Sequence, residues 1–416
     1  MTVTVTVPKA DRQDPHAASI PPSCVHGVYR SVNDWQRRTG REAVRLDVGE
    51  PHFRPPAEAV EALAAAVHDG RTTYTPAEGL PEFRERLAEK LVQRNRHDTD
   101  PGLVYVTPGA SQGLYAVMQS VANPGDEILL PAYHWPIHLQ QSLLAGLRPR
   151  FYPLDEQHRP DLDALARLAG DRTRILLVNT PSNPTGAVYD RGLLRNLLEL
   201  AQRHDWTILS DEAYEDFVFA GEHVSIAELE RELPPVRRRV FTVFSYSKSF
   251  AMTGYRLGYV AAPDAARGAT LQVVEEASIL SSPTPVQYAG LAALDAMDAV
   301  AVNRELVRTA RNSLAPLVDA GLLGHLPAGG WFALLDLTGL GLGAEKFAAE
   351  LLEREAIAVA PARGFALRPE IGAQGGVRAV NADPATATQL RIAFCGHPVS
   401  VARAAAGIAG FASSLR

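Results

Sequence analysis

Lys248 has the clearest potential for covalent chemistry in this sequence. Only four lysines occur, Lys9, Lys90, Lys248 and Lys346. Lys9 lies in a polar tail, and Lys90 and Lys346 sit among Glu and Arg. Lys248 alone has small, hydroxyl-bearing and apolar neighbours, in Phe244-Ser-Tyr-Ser-Lys-Ser-Phe-Ala-Met-Thr-Gly-Tyr-Arg-Leu-Gly258. An ammonium crowded by apolar groups loses solvation, so its pKa falls and its amine becomes a nucleophile or base. Such an amine can condense with an aldehyde.

Other segments supply complementary groups. Thr107-Pro-Gly-Ala-Ser-Gln-Gly113 joins a strand pattern to a helix pattern. Its glycines allow close backbone approach, and free amides at a helix N-terminus attract phosphate. Asp211 ends the apolar run Thr207-Ile-Leu-Ser210 and opens Asp-Glu-Ala-Tyr214, where it also suits a helix N-cap. Asn183, before Pro184, reads by itself as a turn initiator. Arg391, in Leu390-Arg-Ile-Ala-Phe394, offers a planar fork suited to a carboxylate. Gly49, in a Gly-Glu-Pro turn, leaves its backbone open to a ligand.

The elements that must position these groups alternate. Strand patterns occur at 102–107, 127–130, 175–179, 207–210, 240–244 and 259–262, with helices at 111–121 and 191–204. That alternation predicts an α/β fold, with an open, mostly parallel sheet flanked by helices. A long helical stretch near 285–320 precedes strand patterns at 330–337, 357–360 and 390–394, read as a smaller α+β domain. The expected division is an N-terminal arm and first helix (1–45, the helix near 28–39) joining the small domain, a large domain (46–300) and a small domain (301–416). Residues 1–20 are polar and read as a mobile arm. Ligands bind beyond the carboxyl ends of strands in such sheets, where the candidate groups fall.

The run Ser245-Tyr-Ser-Lys248, with Arg256 and Leu-Gly258 following, resembles the cofactor-lysine motif of class I/II aminotransferases, fold-type I enzymes that use pyridoxal 5'-phosphate (PLP). The other motifs agree with that family in identity and order over roughly residues 45–395. The resemblance implies that Lys248 holds PLP as a Schiff base and, once released, serves as the general base. It implies that Gly109, Ala110, Ser111, Gln112, Ser245 and Arg256 grip the phosphate. Asp211 would pair with the pyridinium nitrogen; at about 4 Å and an effective dielectric near 20 this attraction is on the order of 4 kcal/mol, roughly three pKa units. Asn183 and Tyr214 would hydrogen-bond the phenolic oxygen, and Asn183 would also border the substrate. Tyr133 aligns with the aromatic that stacks on the ring, with Trp135 a competitor two residues away. Arg391 would clamp the substrate α-carboxylate beside Gly49. Tyr74 would reach the phosphate of a neighbouring subunit, which implies a homodimer with shared sites. The implied reaction moves an amino group between an L-amino acid and a 2-oxo acid.

Two departures bear on the reaction. The stretch 366–389 is longer than the usual family connection, and Arg363 stands where a small residue is commoner. Elimination, replacement or cyclisation on the same frame is therefore an alternative, since fold does not fix which bond breaks.

Composition bounds the rest. The 416 residues suffice for two or three compact units, and 46% hydrophobic with 21% charged residues is ordinary for a globular protein. A net charge of −6, with no basic stripe, gives no reason to expect nucleic acid. No signal-peptide pattern or membrane-length apolar stretch occurs, and two cysteines suit a reducing cytoplasm. Gly339-Leu-Gly-Leu-Gly-Ala344 formally fits a dinucleotide fingerprint but lacks the acidic ribose partner about 20 residues on. His134 and His138 have i,i+4 spacing, but Pro136 between them argues against a helix aligning them on a metal.

Overall fold

The computed structural model describes residues 16–372 and 375–416. Residues 1–15 of the expected arm lie outside the described residues. Residues 16–20 are not free: His16–Ser19 forms a 3-10 turn, and the His16 ring hydrogen-bonds the Leu143 carbonyl at 2.8 Å.

Helix α1 (Cys24–Thr39) leads to β1 (Val44–Arg45), α2 (Ala57–His68) and α3 (Pro81–Arg94). Then come β2 (Val104–Thr107), α4 (Ala110–Val121), β3 (Glu127–Pro131), α5 (Pro136–Leu144), β4 (Arg148–Tyr152) and α6 (Leu162–Arg167). The next elements are β5 (Thr173–Asn179), α7 (Arg191–His204), β6 (Thr207–Asp211), β7 (Val240–Ser245), α8 (Tyr246–Ser249) and β8 (Gly258–Ala261). Four helices follow: α9 (Ala265–Ser278), α10 (Thr284–Ala293), α11 (Met297–Asn312) and α12 (Ala315–Asp319). The chain ends with β9 (Phe332–Asp336), α13 (Ala344–Glu355), β10 (Ile357–Ala358), β11 (Ala360–Pro361), β12 (Leu367–Ile371), β13 (Val377–Ala382), β14 (Gln389–Ala393) and α14 (Pro398–Ser413).

Seven strands form one sheet in the order β2-β8-β7-β6-β5-β3-β4. Only β8 runs antiparallel to its neighbours. Ile175, Leu176, Leu177 and Val178 of β5 are all fully buried, as expected for a strand covered on both faces. Helix α7 shows how the local sequence sets a covering helix. Asp190 caps its start by accepting from the Leu193 amide at 2.9 Å; Leu194, Leu197, Leu198 and Ala201 form its buried stripe. It stops at Asp205, whose φ of 55° is left-handed.

The second group of strands is β11-β14-β9, all antiparallel. Strand β1 pairs parallel with β10, so the segment after α1 is tied to the C-terminal part of the chain. The Gly339–Ala344 run follows a strand paired antiparallel, not a parallel βαβ unit, and it opens α13 through Gly343. The long 366–389 connection contains the β12–β13 hairpin, which the strand patterns did not show. Among the described residues no helix is long and apolar enough to cross a membrane.

Candidate active site

Thr107, Pro131, Asn179, Asp211 and Ser245 are the last residues of β2, β3, β5, β6 and β7. Of these, Asn179, Asp211 and Ser245 line a cavity of about 290 Å³. Lys248, Asp211, Tyr214, Asn183, Ala110, Ser111, Ser245, Arg256, Gly49 and Arg391 all line it. Segments separated by more than 300 residues in sequence, Gly49 and Arg391, thus meet the lysine turn at one place.

Lys248 lies in the single-turn helix α8, which Ser245 caps by accepting from the Ser247 amide at 3.2 Å. Its Nζ donates to the Gly49 carbonyl at 3.1 Å and lies 5.1 and 5.7 Å from the ring centres of Trp331 and Tyr214. Burial pushes its pKa below the ordinary lysine value; Cys395 and Glu50 oppose the shift, while Arg256 and Arg391 reinforce it. Gly49 is required by close packing: a Cβ there would meet Phe332 Cζ at 2.5 Å.

Asp211 is held from three sides. Its Oδ2 is 2.9 Å from His138 Nε2, its Oδ1 accepts from the Ala213 amide at 3.2 Å, and its carbonyl accepts from Asn179 Nδ2 at 3.1 Å. The Ala213 bond closes a turn and no helix begins there, so the structure supports the buried-carboxylate reading and not the N-cap. His138 carries no signal as a site residue in the sequence, where a proline two residues before it argues against a helix. Pro136 instead occupies the first position of α5, where its missing N–H costs nothing, so His138 sits within the helix and His134 before it. Among the described residues no group of His, Cys, Asp and Glu could hold a metal.

The phosphate-type corner combines the start of α4 with Ser245 and Arg256. Gly109 has φ 84°, and a Cβ there would meet Arg256 Nη2 at 2.5 Å, so the turn and the guanidinium fit only with glycine. Ser247 joins this corner unforeseen. Gln112 is not among the lining residues; one position further into the helix, it faces Glu275.

Arg391 is 2% exposed. Its Nη2 donates to the Asp47 carbonyl, and its guanidinium lies 4.5 and 4.6 Å from the rings of Phe332 and Phe365. Its Nε and the Asn183 Oδ1 are buried without a hydrogen-bond partner among the described residues. Buried polar atoms of this kind demand a partner, and both residues border the cavity. Burial pushes the Tyr214 phenol well above its usual pKa, so it stays protonated and can donate.

Two expectations change. Tyr133 is not in the cavity: its hydroxyl donates to Gln389 Oε1 at 2.7 Å and its ring meets His158 edge-on at 5.7 Å. Trp135, the residue before α5, lines the cavity instead. Its indole stands edge-on to His138, one turn along, so one helix start delivers both groups. Trp135→Ala should weaken cofactor binding about tenfold, the worth of an aromatic contact near 1.5 kcal/mol. Tyr133→Phe should change it less than about twofold; equilibrium titration separates the two, and the reverse ranking would restore Tyr133. Tyr74 is 81% exposed and outside its own chain's cavity.

PLP fits these residues. A helix start beside an arginine and two serines, a buried carboxylate, a phenol that stays protonated and a desolvated amine are the groups it needs. Comparisons with known proteins agree. The family model for aminotransferase class I and II matches residues 41–407. An aspartate/prephenate aminotransferase of Thermus thermophilus is 36% identical over 338 residues, 79% of this chain and 86% of the relative. An arginine–pyruvate transaminase of Pseudomonas aeruginosa is 35% identical over 86% of this chain and 90% of its own length. The solved structure of a Thermus thermophilus aspartate aminotransferase with maleate superposes with a TM-score of 0.84 at 30% identity, covering 97% of this chain and 100% of that one. The chain therefore belongs to the class I and II aminotransferases, PLP-dependent fold-type I enzymes that move an amino group between an amino acid and a 2-oxo acid.

Proposed function

We propose that Lys248 carries the cofactor and moves the substrate proton, that Asp211 holds the ring nitrogen protonated, and that Arg391 fixes the substrate α-carboxylate. The observation that carries this reading is a desolvated Lys248 amine sharing one cavity with a buried Asp211 carboxylate and the unpartnered Nε of Arg391. When bound, PLP supplies a conjugated ring that accepts the electron pair of a broken bond at the substrate Cα. Lys248 Nζ takes the proton from that carbon and returns it on the far side of the transfer. Asn183 and Tyr214 donate toward the phenolic oxygen, through Nδ2 and the hydroxyl. Ala110, Ser111, Ser245, Ser247 and Arg256 hold the phosphate, and Trp135 covers the ring.

Arg391 recognises what all amino-acid donors share, which suits a family whose relatives bear names as different as aspartate/prephenate and arginine–pyruvate. Burial lowers its pKa from the ordinary arginine value, yet a guanidinium keeps its charge at neutral pH. The test is direct. Borohydride reduction of the cofactor-loaded protein should fix the cofactor's mass on the peptide containing Lys248. Adding amino acids to a separate, unreduced sample should bleach the visible band without releasing ammonia. Ammonia release would move the assignment to elimination.

We also propose a homodimer with shared sites, placed in the cytoplasm, with domains at 46–300 and 301–416 and residues 1–45 joining the smaller. Tyr74 supports the shared site, since an aromatic so exposed on one chain suits a contact with a second copy. Tyr74→Phe should weaken cofactor binding about tenfold, the loss of one hydrogen bond to a charged group. Sedimentation should give a dimer; a fully active monomer would refute the arrangement.

A further inference from the structure

A second set of buried ionisable groups lies directly behind the site and has no part in the chemistry above. Glu212 follows Asp211, extends the ladder through its amide to the Val243 carbonyl at 3.0 Å, and is fully buried. Neighbouring residues of an extended chain point to opposite sides, and Glu212, unlike Asp211, does not line the cavity. Its Oε1 accepts from Ser210 Oγ and Ser225 Oγ, both at 2.9 Å, and its Oε2 is 2.9 Å from His223 Nε2. Ser225 Oγ in turn is 2.7 Å from the buried His97 Nε2. Because Ser225 gives its proton to Glu212, His97 donates to Ser225 and is protonated at Nε2.

We propose that Glu212 and His223 are a positioning pair for the active site: their buried ion pair, braced by Ser210, Ser225 and His97, fixes the end of β6 and so aims Asp211 and Tyr214 into the cavity. The inference rests on the roles given to Asp211 and Tyr214 above. A carboxylate with three partners on two oxygens can neither rotate nor retreat. Its neighbour in the chain is then held to within the tolerance that catalysis demands, where about 1 Å of misplacement can cost 10²-fold in rate. The brace spans three segments distant in sequence: β6, the 223–225 loop and the residues after α3.

The charged groups around the pair come from every element packed on it. They are Lys90 of α3, bonded to Glu215 at 2.5 Å, and Glu215 itself, with the titratable but neutral His97 beside them. Burial alone would lower the His223 pKa, but the hydrogen bond and charge of Glu212, with Glu215 adding, raise it above 6.5. Burial would raise Glu212, and the hydrogen bond and charge of His223, with the Ser210 hydrogen bond, outweigh it. His97 is driven down to about 4 by burial and stays neutral. The ion pair is therefore intact below the raised His223 value and is lost as pH rises through it.

The test uses the PLP-loaded enzyme, with the adduct on Lys248 first confirmed in the parent. Glu212→Gln keeps an acceptor for the serines but removes the charge, and His223→Gln removes the titrating group. Both should lower kcat roughly 10–100-fold with KM nearly unchanged. The parent's kcat should fall on the alkaline side as His223 deprotonates, and that limb should be missing in His223→Gln. Should Glu212→Gln fail to fold, His223→Gln, whose side chain is 14% exposed against none for Glu212, carries the test alone. Parent kcat and an unchanged pH profile, with only a lowered Tm, would reduce the pair to a structural ion pair and overturn the proposal. Absence of the Lys248 adduct in the parent would instead sink the reading of the site itself.

Discussion

Replacing Lys248 by alanine lowers the transamination rate by ~10⁴-fold or more, the combined worth of a lost covalent anchor and a lost general base. No other amine lines the cavity among the described residues, and the Tyr214 phenol is held too firmly protonated to substitute. The variant still binds PLP through the α4 corner, Arg256 and Trp135, because none of those contacts involves Lys248. Stopped-flow single turnover with saturating amino acid measures the effect. In the parent the rate rises with pH as Nζ loses its proton, along a limb lying below the ordinary lysine value of 10.5. The variant lacks that limb. A rate within tenfold of the parent would remove Lys248 from the chemistry.

Asp211→Asn lowers kcat by about 10³-fold, the equivalent of a charge interaction on the order of 4 kcal/mol. The substitution separates two explanations of the same residue. An asparagine can still accept from the Ala213 amide through its side-chain oxygen, so the turn survives and stability falls little. What disappears is the negative charge proposed to hold a proton on the cofactor's ring nitrogen. His138 then loses its charged partner at 2.9 Å, which adds to the loss of cofactor affinity. A kcat unchanged beside an intact fold would show that Asp211 only holds its turn.

The residues that sequence reasoning found share one property: their signal is local. Lys248 stands out through its neighbours at 244–258, and Asp211 through an apolar strand ending in a carboxylate. Strand patterns placed the sheet edge for the same reason, since burial on both faces writes a continuous apolar run such as Ile175–Val178. The residues it misplaced depend on contacts across the chain. Tyr133 and Trp135 are both aromatic and two positions apart. The choice between them was made by Gln389, 256 residues away, which binds the Tyr133 hydroxyl. His138 became legible only when Asp211, 73 residues on, was seen beside it.

The β12–β13 hairpin is a further case. Its length was visible as an oversized connection, but its pairing was not, because alternation is weak in Leu-Arg-Pro-Glu-Ile and the strands find each other through the hairpin itself. Val377 and Val380 bury against the large sheet's core, and Arg368 lies 4.2 Å over the Phe151 ring while donating to the Ala132 carbonyl at 3.0 Å. Such docking is a property of surfaces, not of a sequence window.

The sequence by itself determined the reactive amine, the order of strands and helices and the kinds of group offered at the strand ends, because solvation and periodic burial act within a few residues. Tertiary structure alone decided which aromatic lines the cavity, which imidazole backs Asp211 and which side chains hold Glu212. Those outcomes follow from where distant buried polar atoms find their partners, a condition that no local stretch of chain can express.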